Sequence, residues 1–159
     1  MPKKKSKKVV KGLPVRCVWG LICSMSSIDQ KTNNISLFNV IENFNVPKGF
    51  FKKNKELITI FAPYQVILFL RRLIDVNISD DEILLDLRYK AINPEGVTLV
   101  ENISSFKFLG GKQSMRISID MQAIVVNIPG LYLNKIEIKR PEDDDFVEIL
   151  ELPFQVISL

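Results

Sequence analysis

An all-β fold, an antiparallel sandwich of two sheets, is what this sequence predicts, and three observations predict it. Ile117, Ile119, Met121, Ala123 and Val125 share one parity, while Arg116, Ser118, Asp120 and Gln122 share the other. An apolar period of two marks a strand with one face buried. The chain then ends in a distinctive succession. Ile128-Pro129-Gly130 breaks the run, and Tyr132, Ile136 and Ile138 alternate with Lys135, Glu137 and Lys139 in a Gly-x-Tyr strand. An acidic turn over 140–145 and a last strand from Phe146 follow. Many antiparallel sandwich domains end in this way. Composition agrees, since Val, Ile, Phe and Tyr are plentiful and Ala is scarce, which favours strand over helix.

The remaining elements follow in order. Residues 13–28 form a first strand opened by Pro14, with Val15, Cys17, Trp19, Leu21 and Cys23 on one parity and Val18 and Ile22 opposite, so both faces are partly covered. Gly20 in mid-run points to a bulge or a close backbone approach. Residues 29–34 make a tight turn in which Asn33 and Asn34 tolerate positive φ. A second strand returns over 35–41, is extended by 43–46, and is closed by Pro47-Lys48-Gly49. Residues 50–56 are a polar linker with room for one helical turn. Residues 57–73 are apolar on both faces, the mark of a central strand or two, with Pro63 as a break or an edge because it cannot donate to a ladder; a helix over 52–61 is the competing reading. An acidic connection over 75–82 leads to a strand in which Ile83, Leu85, Leu87 and Tyr89 alternate with Asp86, Arg88 and Lys90. Asn93-Pro94-Glu95-Gly96 is a four-residue turn with Pro second and Gly last. Short β segments follow at 97–100 and 103–109, then a loop at Gly110-Gly111-Lys112. The total is seven to nine strands with little helix, in an immunoglobulin-like arrangement.

At 159 residues the chain has the length of one domain with a real core. Its longest nearly apolar run, 57–70, is interrupted by Thr59, Pro63 and Gln65, short of the roughly 20 apolar residues of a membrane-crossing helix. Cys17 and Cys23 are the two cysteines, and there is no histidine. Six residues apart on one strand, the thiols would sit about 20 Å from each other, too far for a disulfide. Reduced thiols and a cytoplasmic location are expected.

Charge is divided unevenly. Residues 1–12 hold Lys3, Lys4, Lys5, Lys7, Lys8 and Lys11 and no acid, whereas the chain as a whole is +4. Without those six lysines, 16 basic residues face 18 acidic ones, or −2. The first 12 residues are therefore expected to be a disordered basic tail, with 13–159 as a single sandwich domain. No secretory apolar stretch accompanies the tail. The six lysines are the candidate polyanion contacts, through a weak and nonspecific attraction to nucleic acid; a ribosome anchor and a membrane-surface patch are the other readings.

Residues 23–42, CSMSSIDQKTNNISLFNVIE, are similar to the opening of a family of small uncharacterised prokaryotic β-sandwich proteins. Those begin with a strand, a polar turn and an S-L-F-N-V-I-E type strand. Val46-Pro47, the apolar strand at 63–71, the x-P-x-G turn at 93–96, the Gly130–Tyr132 G-x-Y step and the terminal strand at 152–157 match the rest of the pattern. The resemblance covers nearly all of the chain beyond the tail; the tail and the acidic turn at 142–145 lie outside it. It implies a sandwich and carries no catalytic residue, because the family has no established activity.

Chemistry is narrowed by elimination. Without histidine, Ser-His-Asp and Cys-His nucleophilic systems are absent in those forms, and a Cys/His zinc site cannot be built. Gly110-Gly111-Lys112-Gln113-Ser114 lacks the spacing of a phosphate-binding loop. Asp75, Asp80, Asp81 and Glu82 in one connection and residues 142–145 in another could collect calcium, yet neither has the 12-residue loop spacing. Phe106-Lys107-Phe108 and Phe50-Phe51-Lys52-Lys53 are the basic–aromatic stretches a nucleic-acid-binding sheet would use. A non-enzymatic module that binds a protein partner or itself, without cofactor or metal, is the expected function. A nucleic-acid-associated protein acting through its tail and a carboxylate-dependent cytoplasmic enzyme are the alternatives, and a buried Asp/Glu pair lining a pocket would favour the enzyme.

Overall fold

Alternation and turn chemistry produce the strands much as expected. The computed structural model describes residues 12–73 and 81–159, and nine strands make up the regular structure of these residues, with no helix. In order they are β1 (Val15–Ile28), β2 (Ile35–Val40), β3 (Asn43–Val46), β4 (Ile58–Arg72), β5 (Ile83–Ile92), β6 (Thr98–Phe108), β7 (Ser114–Val126), β8 (Gly130–Lys139) and β9 (Val147–Ser158). They form a four-stranded sheet in the order β2-β1-β4-β7 and a five-stranded sheet in the order β3-β9-β8-β5-β6. Every pairing is antiparallel except β3 with β9. The predicted tail lysines and the first part of the acidic connection, Asp75 and Asp80, lie outside the described residues.

One core lies between the sheets. Val66, Leu68 and Leu70 of β4 meet Leu85 and Leu87 of β5, Ile136 and Ile138 of β8, and Phe154 and Val156 of β9. At the rate of about 25 cal/mol per Å² of apolar surface removed from water, burial of this kind is the main stabilising term. The alternation read in β5 and β8 is kept, with Leu85, Leu87 and Tyr89 inward and Lys135, Glu137 and Lys139 on the outer side. The 93–96 turn also forms as read. Gly96 sits at φ 80°, and the Asn93 side chain accepts the Glu95 and Val97 amides at 3.0 and 2.8 Å.

Several expectations are overturned, each for a physical reason. Residues 43–46 do not extend β2. After Val40 the chain crosses to the other sheet, where β3 pairs with the far end of β9 from Asn43↔Gln155 to Val46↔Ser158. The segments at 97–100 and 103–109 are one continuous strand, β6, because β5 pairs with it from Ile92↔Thr98 to Ile83↔Phe108, with one register shift at Leu99. No helical turn forms over 50–56 and no helix over 52–61; Lys55, at φ 55°, begins the approach to β4 instead. Cys17 and Trp19 do not share a face. The β1–β4 register slips between them, with Cys17 opposite Leu70 but Trp19 opposite Phe69, so Val18 is the extra residue of a bulge. Cys17 therefore packs on the core, while Trp19, Leu21 and Cys23 face the outer side of the sheet, where Trp19 is half-buried. Gly20 marks the close approach and not the bulge, since a Cβ there would fall 2.2 Å from the Leu150 methyl of the opposite sheet.

A second slip explains both Pro63 and the end of β7. Phe61 pairs with Ala123 but Tyr64 with Met121, so Ala62 and Pro63 together face Gln122. Pro63 occupies the one place in a central strand where no ladder donor is needed. The shift also turns β7 over. Ile117, Ile119 and Met121 point inward, then Ile124 and Val126, so Ala123 and Val125 are not on the buried parity.

A polar chain crosses the core between the sheets. The hydroxyls of Tyr64 and Tyr89 lie 3.1 Å apart, and Tyr89 donates to Asn134 Oδ1 at 2.6 Å. Burial raises the pKa of both phenols, so both stay protonated. Asn134 Nδ2 has no partner among the described residues, and an unpaired buried amide is costly. Asn134→Leu alone removes the acceptor of the Tyr89 hydroxyl, leaving it only the Tyr64 hydroxyl, and should cost about 1–2 kcal/mol. Adding Tyr89→Phe should restore most of that, with a coupling of at least about 0.5 kcal/mol in urea unfolding. Strict additivity of the two changes would show that the bond contributes nothing.

Candidate functional site

The stretches singled out in the sequence are mostly dispersed. Phe108 is buried in the core, Phe106 packs against it, and Lys107 alone reaches solvent, where it pairs with Glu82 at 3.0 Å. Phe51 likewise lies against the core, and Lys52 pairs with Glu56 at 2.7 Å, so neither basic–aromatic stretch forms a platform. Gly110-Gly111-Lys112 is a turn with Gly111 at φ 68°. Asp81 lends its main-chain carbonyl, not its carboxylate, to Arg72. Among the described residues no group of three or more Cys, Asp or Glu side chains could hold a metal ion. Cys17 and Cys23 are free thiols, and burial raises the pKa of both.

Arg72 is the buried charge of the described residues, at 5% exposure. Its Nη2 donates to the carbonyls of Asp81 and Leu109 at 2.9 Å each, and its guanidinium lies 5.2 Å from the centre of the Phe108 ring. It closes one end of the core where β4 and β6 terminate.

The outer faces of the two sheets differ in kind. On the five-stranded sheet the charges satisfy one another across strands. Glu137 of β8 takes both Arg88 and, at 3.2 Å, Lys90 of β5. Burial works to raise the Glu137 carboxyl, but these two cations outweigh it and hold it below the usual carboxylate range. Lys135 bridges Glu148 and Glu151 of β9 at 3.0 Å each. Ser105 bonds Asp86 at 2.7 Å, and the Arg88 guanidinium lies 4.1 Å from the Phe146 ring centre.

The four-stranded sheet presents something else. β1 leaves β4 after Cys23 and continues with β2 as a two-stranded arm closed by the 29–34 turn. The arm folds back over the outer face. Ser26 reaches the Gln65 side chain at 2.7 Å, and Arg116 of β7 donates to the Asn33 carbonyl in the turn. Ile67, on that outer face, is consequently only 2% exposed. The arm leaves its own apolar side chains in solvent: Met25 is 55% exposed, its cross-strand partner Phe38 44%, and Val40 58%. Beside Val40, where the chain crosses between sheets, an open groove of about 360 Å³ runs between Gly20-Leu21-Ile22 and residues 152–155 of β9. Glu42 is the one charged residue of its lining.

Sequence reasoning found the hairpin of β1 and β2 but missed its fold-back, because period-2 pairing is local, whereas the fold-back rests on Gln65 and Arg116, far along the chain. The signal available was the uncharged run Ile35–Val40, an edge strand with nothing to discourage pairing.

No family model matches this chain, and no curated protein matches it. Among solved structures it is similar to the Pseudomonas fluorescens alkylpurine DNA glycosylase AlkC bound to DNA containing an abasic site analog, with 8% identity and a TM-score of 0.48 over 92% of this chain and 31% of that one. A family 123 glycoside hydrolase from Clostridium perfringens aligns with 10% identity and a TM-score of 0.44 over 92% of this chain and 28% of that one. The chain spans about a third of the length of each.

Proposed function

We infer that this chain is a non-enzymatic, immunoglobulin-like binding module that associates with a second copy of itself through strand β2. The topology supports the scaffold: β1, β4 and β7 lie side by side as strands A, B and E of that fold do, and β5, β8 and β9 as C, F and G. So does Tyr132, near the start of β8, whose hydroxyl donates back to the Ile128 carbonyl at 2.7 Å in the manner of the tyrosine corner.

The observation that carries the binding reading is the contrast among sheet edges. β6 carries Glu101 and Lys107, β7 carries Arg116 and Asp120, and β3 is four residues long and followed by Pro47. Charges and shortness of this kind discourage pairing with foreign strands. β2, ISLFNV, has neither a charge nor a proline and exposes Phe38 and Val40. Antiparallel pairing of β2 with its copy about a two-fold axis would bury Met25, Phe38 and Val40 from both chains. For the catalytic alternative a buried carboxylate pair would speak, and the buried polar side chains among the described residues are Arg72, Asn93, Asn127 and Asn134.

Sedimentation measures the association directly. The full chain should be dimeric at about 100 μM, where weak interfaces are populated. Phe38→Lys should sediment as a monomer with an unchanged melting temperature, because Phe38 is already half in water. A wild-type monomer at that concentration, or a variant as dimeric as the parent, would remove the basis for this reading.

A further inference from the structure

Register allows the outer face of the four-stranded sheet to be read in rows. Trp19 of β1 stands opposite Phe69 of β4, and Phe69 opposite Arg116 of β7. The next row is Arg16, Arg71 and Ser114. The Trp19 and Phe69 rings stack with centroids 5.6 Å apart and planes 20° apart. Both rings are half-buried, while Arg16 and Arg71 are exposed. Among the described residues neither arginine forms an ion pair.

These two rows contain no acid. Asp120, further along β7, is engaged by Gln65 at 2.8 Å and Ser118 at 3.0 Å. Asp29, in the arm's turn, accepts the Lys31 amide at 2.7 Å. The result is a stacked aromatic pair bordered by two arginines that form no ion pair among the described residues, while Arg116, third in the aromatic row, reaches the Asn33 carbonyl in the turn of the arm.

The ligand that suits such a surface offers flat π faces and repeated negative charge in one molecule. Single-stranded nucleic acid does: bases extend an aromatic stack, and guanidinium forks take phosphates in paired hydrogen bonds. A duplex hides its base faces. An acidic peptide brings the charge without the planes, and an anionic bilayer asks for apolar side chains to insert rather than a stack between arginines. Six lysines lie within the twelve residues that precede this strand region in the sequence, so long-range attraction there has the same sign. We propose that this face binds single-stranded nucleic acid, with a base stacked on the Trp19–Phe69 pair and phosphates on Arg16 and Arg71. The proposed contacts use no residue of β2, and the proposal stands whether or not the chain self-associates.

Trp19 is the sole tryptophan, so its emission reports on this surface. The full chain is titrated with an oligothymidylate of about ten nucleotides, within the range of single-strand site sizes, and in parallel with inorganic polyphosphate and with vesicles of phosphatidylserine. The oligonucleotide should quench Trp19 saturably. Polyphosphate should compete for binding yet leave the emission of the free protein nearly unchanged, since it has nothing to stack. The double variant Arg16→Glu, Arg71→Glu should need at least about tenfold more oligonucleotide for half-saturation, with an unchanged melting temperature because both side chains are exposed. Absence of quenching, equal quenching by polyphosphate, a spectral response to vesicles alone, or a charge-reversed variant that titrates like the parent would each overturn the assignment. The last result would place any nucleic-acid affinity on the lysine-rich segment.

Discussion

Replacing Tyr132 with Ala should cost about 3–5 kcal/mol in urea-induced unfolding, the range of aromatic truncations in a packed core. Tyr132 is fully buried, and its ring stacks on Phe154 with centroids 5.3 Å apart. Its hydroxyl does a second job. While donating to the Ile128 carbonyl it accepts the Asn127 amide at 3.1 Å. The Asn127 side chain in turn accepts from Asn93 Nδ2 at 3.2 Å, and Asn93 shapes the 93–96 turn. One phenol thus ties the β7–β8 connection to the β5–β6 turn at one end of the molecule. Tyr132→Phe keeps the ring and isolates this contribution, which should be about 1–3 kcal/mol because a buried amide and a carbonyl lose their partner. An alanine variant within about 1 kcal/mol of the parent would mean that the parity of β8 is not as described.

Gly130→Ala is expected to destabilise by about 2–4 kcal/mol, combining backbone strain with overpacking. Gly130 opens β8 at φ 138°, a conformation that residues with a Cβ rarely adopt. The added methyl would also lie 2.7 Å from Pro94 Cγ, in a ring that cannot swing aside. Combining it with Pro94→Ala separates the causes. Removing the ring relieves the contact but not the φ, so the double variant should regain only part of the loss relative to Pro94→Ala alone. A single variant that unfolds at the parental urea midpoint would show that the turn simply rearranges.

Much of this fold was legible in the residues because strand alternation is a local property. Ile83, Leu85, Leu87 and Tyr89, and Tyr132, Ile136 and Ile138, had to share a face whatever they packed against. Asn33 and Gly96, at φ 56° and 80°, had to sit in turns, since few other residues tolerate those angles. The sequence by itself therefore determined the all-β class, nearly every strand, and the split of charge between the first twelve residues and the rest.

Tertiary structure decided what depends on partners distant in sequence. Whether 43–46 would continue β2 or cross to β9 rests on a ladder more than a hundred residues away. The bulges at Val18 and at Ala62-Pro63 reverse which residues face the core, and each is visible only against its partner strand. For the same reason the Trp19–Phe69 pair and its arginines could not be assembled from the sequence. Trp19 and Arg16 come from one strand, Phe69 and Arg71 from another about fifty positions later, and the bulge at Val18 is what sets Trp19 on the outer face. A linear search for basic–aromatic stretches finds neighbours in sequence such as Phe106 and Lys107, and alternation in a strand sends such neighbours to opposite faces.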